Sequence, residues 1–410
     1  MAKKTGIPFF EAESFFKEIS REPSDEHIRV CEAIEVSEKD IAEIAFTSGT
    51  SGKYKGVMLS NANVVTNVES VSRILRPTGM SLQILPLYHT YGLLNMLAHF
   101  FSGGSCLIEE SLRNIAGDVK KCEFDIIGAV PAMLPVIYEF YKNSGKRVKI
   151  PCGGAPEDKA MLAKLADIGV DAYTGYGMTE CSPCIAIGSD HDGIDDTSMH
   201  IIDVNNVTID APDENGVGEI LVSGDNVMIG YYKMPELTAE VIDKDGWFHT
   251  GDLGNINEYG QMKITGRMKN LFKTSLGKYI NPDIIESKFA ESGFFENVVV
   301  FGENEKFAAA LIVPDFSFLK TWCQKHNINF TNPAETLKIK EVTDRLSTEV
   351  KKINNFFGDT EKIKRFKFIP DEWTIANGIL TPTLKVKRAV IQRKYNDVIN
   401  GLFREGNDRD

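Results

Sequence analysis

The chain has 410 residues, 42% hydrophobic and 10% aromatic, with a formal net charge of −12. These are globular values, compatible with one large domain or two to three ordinary ones. The acidic balance argues against a nucleic-acid surface and against strong electrostatic attachment to anionic lipid. Residues 1 to about 40 are charged, without a clear period, and read as a lead-in of short helices. From Asp40 to Glu180 strand and helix candidates alternate. The strands are "IAEIAF", "LQILPL", "SCLI", "FDIIGAV", "RVKIP" and "VDAYTGY". The helices are "NVVTNVESVSRIL", "LLNMLAHFF", "AMLPVIYEFYKN" and "EDKAMLAKLADIG". Alternation of this kind predicts an α/β fold with a mostly parallel sheet flanked by helices. Ligands on such sheets bind at the carboxyl ends of the strands. From His200 to Arg267 short strands with turn signals predict a β-rich subdomain, with hairpins at "PDENGVGEILVSG" and "NEYGQMKITGR". Beyond Gly266 charged and helical stretches predict a smaller α+β domain. The expected division is a large domain over 1–266 and a small one over 267–410.

No apolar run is long enough to span a bilayer. The most apolar stretch, "LYHTYGLLNMLAHFFSGGSCLI", is broken by two histidines and three glycines, so a buried core is expected there. The start, "MAKKTGIPFFEAESFF", has no signal-peptide core, and the expected location is the cytoplasm. Seven cysteines are scattered along the chain. Cys181 and Cys184 form a lone C-x-x-C and are expected to be ordinary buried thiols. The acidic run Ser189 to Asp196 lacks the ligand spacing of a calcium loop and reads as a solvated loop.

The stretch "FTSGTSGKYKGVMLS" (Phe46 to Ser60) lies between a strand candidate and a helix candidate. Its glycines permit close backbone approach to an anion, its hydroxyls donate hydrogen bonds, and its lysines add positive charge. A Walker loop is excluded, because Gly49 and Gly52 have only two residues between them. Phosphate binding and a solvated Ser/Gly turn both remain open on this stretch alone. Further stretches accompany it: "LPLYHTYGL" with His89, "PCGGAPED", "YGMTE" (Tyr176 to Glu180), "HTGDLG" with Asp252, "TGRMKN" with Arg267, and "LTPTLKVKR" with Lys385.

Together and in this order, these stretches resemble the acyl-adenylate-forming (AMP-binding) superfamily, from Asp40 to the C-terminus. Within it, "LTPTLKVKR" and the charged segment from about Asp315 to Thr374 are most similar to long-chain fatty acid–CoA ligases. The resemblance implies a two-step ligase using ATP, Mg²⁺ and coenzyme A, acting on a carboxylic acid. It implies that Thr47, Ser48, Gly49, Thr50, Ser51 and Gly52 hold the β- and γ-phosphates, with Lys55 nearby. Thr179 would bind the α-phosphate and Glu180 would hold the metal. Tyr176 and Gly177 would meet the adenine, with Gly154, Ala155 and Pro156 lining the base. Asp252 would accept from the ribose hydroxyls, and Arg267 would reach the ribose or phosphate. His89 would sit beside the substrate carboxylate, and Lys385 would bridge carboxylate and α-phosphate. Lys269 matches the hinge position, and Gly277 would give the thiol arm of coenzyme A close access.

The family has a longer stretch before the phosphate loop. A compact variant, a partner chain supplying the missing part and a shortened gene remain as alternatives. Two other functions stay open as well. One is an acyl-AMP ligase loading an acyl carrier protein, with Lys351 to Phe368 as a basic docking patch. The other is a non-catalytic nucleotide-binding homologue. For the acyl chain, the aromatic-rich segment Tyr88 to Phe101 is a candidate wall, though at helical spacing plain core is the commoner outcome.

Overall fold

The computed structural model describes residues 24–48, 54–109, 114–154, 159–188, 198–381 and 386–404. The described residues up to Asp40 belong to one unit and those from Ile41 on to another. The first unit contributes helix α1 (Asp25–Glu32), in keeping with a helical lead-in. All that follows lies in the second.

Strands β1 (Ile41–Ser48) and β2 (Tyr54–Ser60) pair antiparallel, and helix α2 (Asn61–Leu75) follows directly. Ser60 starts α2 with a reciprocal cap. Its hydroxyl accepts from the Asn63 amide at 3.1 Å, and the Asn63 side chain accepts from the Ser60 amide at 2.8 Å. The phosphate-loop stretch is therefore the connection of a hairpin, and "YKGVMLS", read as part of the loop, is its second strand. The expected strand-to-helix loop is corrected on this point. β1 pairs with β2 and with no strand of the large sheet.

Next come β3 (Met80–Gln83), α3 (Thr90–Phe101), β4 (Ser105–Ile108), α4 (Ile115–Lys121), β5 (Ile126–Ile127), α5 (Leu134–Tyr141), β6 (Lys149–Gly153), α6 (Lys159–Asp167) and β7 (Asp171–Gly177). All neighbouring pairs among these strands are parallel. The expected alternation is borne out. Their core, including Leu82, Ile127, Leu134, Ile137, Ile150 and Leu165, lies between the strands and α4 to α6.

The β-rich stretch adds β8 (Cys184–Ile187), β9 (Met199–Ile201), β10 (Asn205–Asp210), β11 (Gly218–Gly224), β12 (Gly230–Tyr231), α7 (Pro235–Val241), β13 (Phe248–Ile256) and β14 (Gln261–Arg267). Both expected hairpins form, β10–β11 and β13–β14. The stretch does not stand apart as a separate sheet. β7 pairs antiparallel with β8 and β8 with β9, giving one 11-stranded mixed sheet in the order β10-β11-β13-β14-β9-β8-β7-β6-β5-β3-β4. β12 instead pairs with β2, completing a three-stranded sheet with β1.

The C-terminal segment comprises β15 (Phe272–Lys273), β16 (Tyr279–Ile280), α8 (Pro282–Ala290), β17 (Phe295–Phe301), β18 (Ala308–Pro314), α9 (Phe316–Lys325), α10 (Pro333–Thr336), α11 (Lys340–Asn354), β19 (Ile363–Phe368), α12 (Arg388–Lys394) and α13 (Asn396–Phe403). β18 is buried along its whole length between β17 and β19. Its alternate residues enter two apolar clusters. Ala310 and Ile312 join Phe289 of α8 and Leu346 of α11, while Leu311 and Val313 join Trp373, Ile391 and Ile399. Among the described residues no helix is long and apolar enough to cross a membrane.

Candidate nucleotide site

Three of the singled-out motifs meet at Asp252. In β13 it lies opposite Arg267 of β14 across the antiparallel register. The Arg267 Nε donates to Asp252 Oδ1 at 2.9 Å, and the Tyr176 hydroxyl donates to Oδ2 at 2.8 Å. The Asp252 side chain is only 4% exposed while Arg267 is 52% exposed. The carboxylate is thus fixed and the guanidinium is open to a ligand. β7 and β13 are four places apart in the sheet order. A flat sheet would separate them by roughly 19 Å, too far for a phenol to bridge. Their contact exists because the sheet coils. Burial, then the Asp252 charge, push the Tyr176 phenol well above its ordinary pKa, so it stays a donor.

The turn that carries Asp252 is held from β11. Glu219 Oε2 lies 2.9 Å from His249 Nδ1, and Glu219 Oε1 accepts from the Gly251 amide at 2.9 Å. Thr250 donates to the Ile220 carbonyl at 2.7 Å and accepts from the Asp252 amide at 3.0 Å. Gly251 has φ of +70°, which favours glycine. Glu219 and His249 were not singled out in the sequence. Strand alternation marks Glu219 only as a polar position, and its partners lie about 30 residues on.

A second cluster joins Lys55, Tyr231 and Glu180. The Lys55 ammonium donates to the Tyr231 hydroxyl at 3.1 Å, and that hydroxyl donates to Glu180 Oε1 at 2.9 Å. Thr179 to Cys181 form a single tight turn directly after β7. Its Glu180 carbonyl accepts from the Met228 amide at 2.8 Å. Tyr231 was also missed. It carries no charge, and its partners are 176 and 51 residues away.

Glycines let these segments approach. A Cβ on Gly177 would stand 2.0 Å from the Pro183 carbonyl oxygen, and one on Gly153 would stand 2.7 Å from the Gly175 oxygen. Gly154, φ +89°, follows directly on β6. Thr47 and Ser48 close β1, opposite Lys55 and Tyr54. Gly49, Thr50, Ser51, Gly52, Ala155, Pro156 and Lys385 lie outside the described residues, as does the Ser189 to Asp196 run.

The remaining candidates lie on other turns and helix ends. His89 caps α3, its Nδ1 accepting from the Tyr91 amide at 3.3 Å. Lys269 is exposed in the turn Met268–Asn270. That turn is tied to α8. Asp283 accepts from the Arg267 amide at 3.0 Å and from the Asn270 side chain at 2.8 Å. Gly277, φ +79°, is in the exposed turn between β15 and β16. The segment containing Lys385 is pinned at its flanks. Leu380 bridges Val386, and the Lys387 amide donates to the Ile379 carbonyl at 2.8 Å. Arg388 donates to Glu286 and to the Val300 carbonyl, each at 2.6 Å. Burial outweighs Arg388 and pushes the Glu286 carboxyl up to about 7.

In the candidate acyl wall, Tyr88, Phe100 and Phe101 are 74%, 54% and 57% exposed, while Tyr91 is half-buried and its hydroxyl donates to the Pro151 carbonyl at 2.6 Å. The inward face of α3 is partly polar, with Asn95 bonded to Ser81 and Gln83 and with His99 buried beneath it. Cys181 is buried and Cys184 half-buried. Both are free thiols, and burial pushes Cys184 up to about 12.

The residues suit an adenine nucleotide with a hard cation. Asp252 is acceptor-only and matches paired hydroxyl donors. Glu180 offers a single carboxylate, which suits Mg²⁺ because that ion keeps waters and phosphate oxygens as its other ligands. Among the described residues no cluster of three or more His, Cys, Asp or Glu forms a metal cage.

The family model described as AMP-binding enzyme matches residues 4–232, and its C-terminal domain matches 270–407. The chain is 30% identical over 430 residues to long-chain-fatty-acid–CoA ligase 5 of Mus musculus, covering 89% of this chain and 62% of that protein. It is 30% identical over 437 residues to long-chain-fatty-acid–CoA ligase 1 of Homo sapiens, covering 89% and 61%. The chain thus spans about six-tenths of the length of these relatives. Among solved structures, the o-succinylbenzoate coenzyme A synthetase of Bacillus subtilis, in complex with ATP and magnesium, matches with a TM-score of 0.69 at 23% identity, covering 87% of this chain and 71% of that one.

Proposed function

The chain belongs to the AMP-binding enzyme family, and from that premise we propose that it is an ATP-dependent acyl-CoA ligase acting on a medium- or long-chain fatty acid. The observation that carries the reading is the convergence of Tyr176 and Arg267 on the buried Asp252 carboxylate. Asp252 receives the ribose hydroxyls and Arg267 faces the ribose or phosphate. Lys55, Thr47 and the loop beyond it hold the terminal phosphates, and Thr179 the α-phosphate. Glu180 would hold Mg²⁺, which when bound offsets phosphate charge.

In the first step a carboxylate oxygen bonds to the α-phosphorus and the bond to pyrophosphate breaks. His89 sits beside the substrate carboxylate. Lys385 offsets the charge that accumulates between carboxylate and α-phosphate. In the second step the coenzyme A thiol bonds to the acyl carbon and AMP leaves. Residues 267–410 turn about Lys269 between the steps, and Gly277 then faces the thiol arm. The free cysteines fit a reducing cytoplasm, which belongs to the same proposal.

The test is pyrophosphate release from Mg·ATP with acids of rising chain length, without coenzyme A, for the wild type and Lys385→Ala. Release should rise with chain length. Lys385→Ala should lower it about 100- to 1000-fold and spare thioester formation from supplied acyl-adenylate. Silence across the acids, or equal loss in both half-reactions, overturns the respective assignment.

A further inference from the structure

We propose that Tyr231 is a positioning residue that keeps Lys55 from neutralising Glu180, so that both charges remain available to the nucleotide. The inference rests on the nucleotide reading above and adds a residue to that site. Tyr231 is 3% exposed and lies on β12, whose pairing with β2 sets Tyr231 opposite Val57, two residues from Lys55. Its backbone amide donates to the Thr238 hydroxyl at 2.9 Å, which fixes the strand. The Met228 amide fixes the Glu180 turn to the same segment. The phenol is thus clamped between two elements that bring a cation and an anion toward each other.

A phenol has one proton and two lone pairs. The proton goes to Glu180 Oε1 and a lone pair meets the Lys55 ammonium. The ammonium also lies 4.4 Å from the centroid of the same ring. The hydroxyl satisfies each charge with a hydrogen bond and cancels neither. Without it, the lysine is left beside a carboxylate that has no other side-chain donor among the described residues, and a direct ion pair is the local alternative. Such a pair would remove the positive charge from the phosphates and occupy the oxygen needed by a cation.

The experiment is calorimetric ATP binding with and without Mg²⁺ for wild type, Tyr231→Phe, Lys55→Met and the double variant. Thermal midpoints are taken on the same preparations. In the wild type Mg²⁺ should tighten ATP binding. Tyr231→Phe should shrink that increment about tenfold, the scale of one hydrogen bond to a charged group. Lys55→Met should weaken binding without Mg²⁺ and leave the increment at least as large as in the wild type. In the Lys55→Met background Tyr231→Phe should no longer reduce the increment, a rescue that a merely structural tyrosine would not give. An unchanged increment in Tyr231→Phe overturns the proposal. So does a reduced increment in Lys55→Met, which decides the matter even if Tyr231→Phe fails to fold. A wild type that binds no ATP overturns the nucleotide reading itself.

Discussion

The nucleotide side of the molecule and the α3 side are built on opposite plans. Around Asp252 and Glu180 each described charged or phenolic group has a partner within about 3 Å, and apart from the Asp252–Arg267 hairpin pair those partners come from segments far apart in the chain. On α3 Phe100 and Phe101 are exposed, Tyr91 reaches inward to the Pro151 carbonyl, and the buried face carries Asn95 and His99. Two open hollows, of about 440 and 360 Å³, are lined by other segments. On the proposed reading, recognition of a phosphate ester and a ribose needs fixed donors and acceptors, so its geometry is visible before the ligand arrives. An alkyl chain needs only apolar volume, and nothing on α3 marks where that volume lies.

The contrast is broken most directly by Asp252→Ala. Removing the acceptor should raise the KM for ATP about 30- to 100-fold, the scale of hydrogen bonds to one charge. Steady-state kinetics at saturating acid reads it. A change below threefold would mean that Asp252 is a structural carboxylate, as Glu286 is.

Glu286 supplies the control, a held carboxylate away from the nucleotide cluster. Its folded pKa of about 7 lies above the ordinary 4.5 because burial disfavours the charged form. The native state therefore keeps a proton that the unfolded chain has lost. The stabilisation is complete below pH 4.5 and is lost as pH rises through 7. Urea titrations between pH 5 and 8 should show stability falling by roughly 2 kcal/mol from this group, discounted for its partial exposure. Glu286→Gln should flatten the slope. An unchanged slope would remove the control.

The smallest effect is expected on the other side. Phe100→Ser and Phe101→Ser should shift unfolding free energy by less than about 0.5 kcal/mol, as exposed positions do. Preference among acids of different length should stay constant in the pyrophosphate assay. A changed preference would restore the end of α3 as part of the acyl wall.

Much of this protein was determined by its sequence. Alternating apolar runs specified the parallel strands and their helices, because a strand period of two and a helix period of 3.6 are local properties. Glycine, hydroxyl and charge at short range marked the loop at Thr47 as a phosphate candidate, while Glu180, Asp252 and Arg267 were marked by the order of short motifs that resembles the AMP-binding superfamily, because each motif alone is a common turn. Tertiary structure alone decided that β1 leaves the main sheet and that the β-rich stretch extends it. Strand pairing joins backbones, which carry no label of their partner. It alone recruited Tyr231, Glu219 and His249, whose roles depend on groups 30 to 176 residues away. It also left Phe100 and Phe101 of α3 exposed while Tyr91 turned inward. Helical periodicity specifies that a face exists, and packing selects which face is covered.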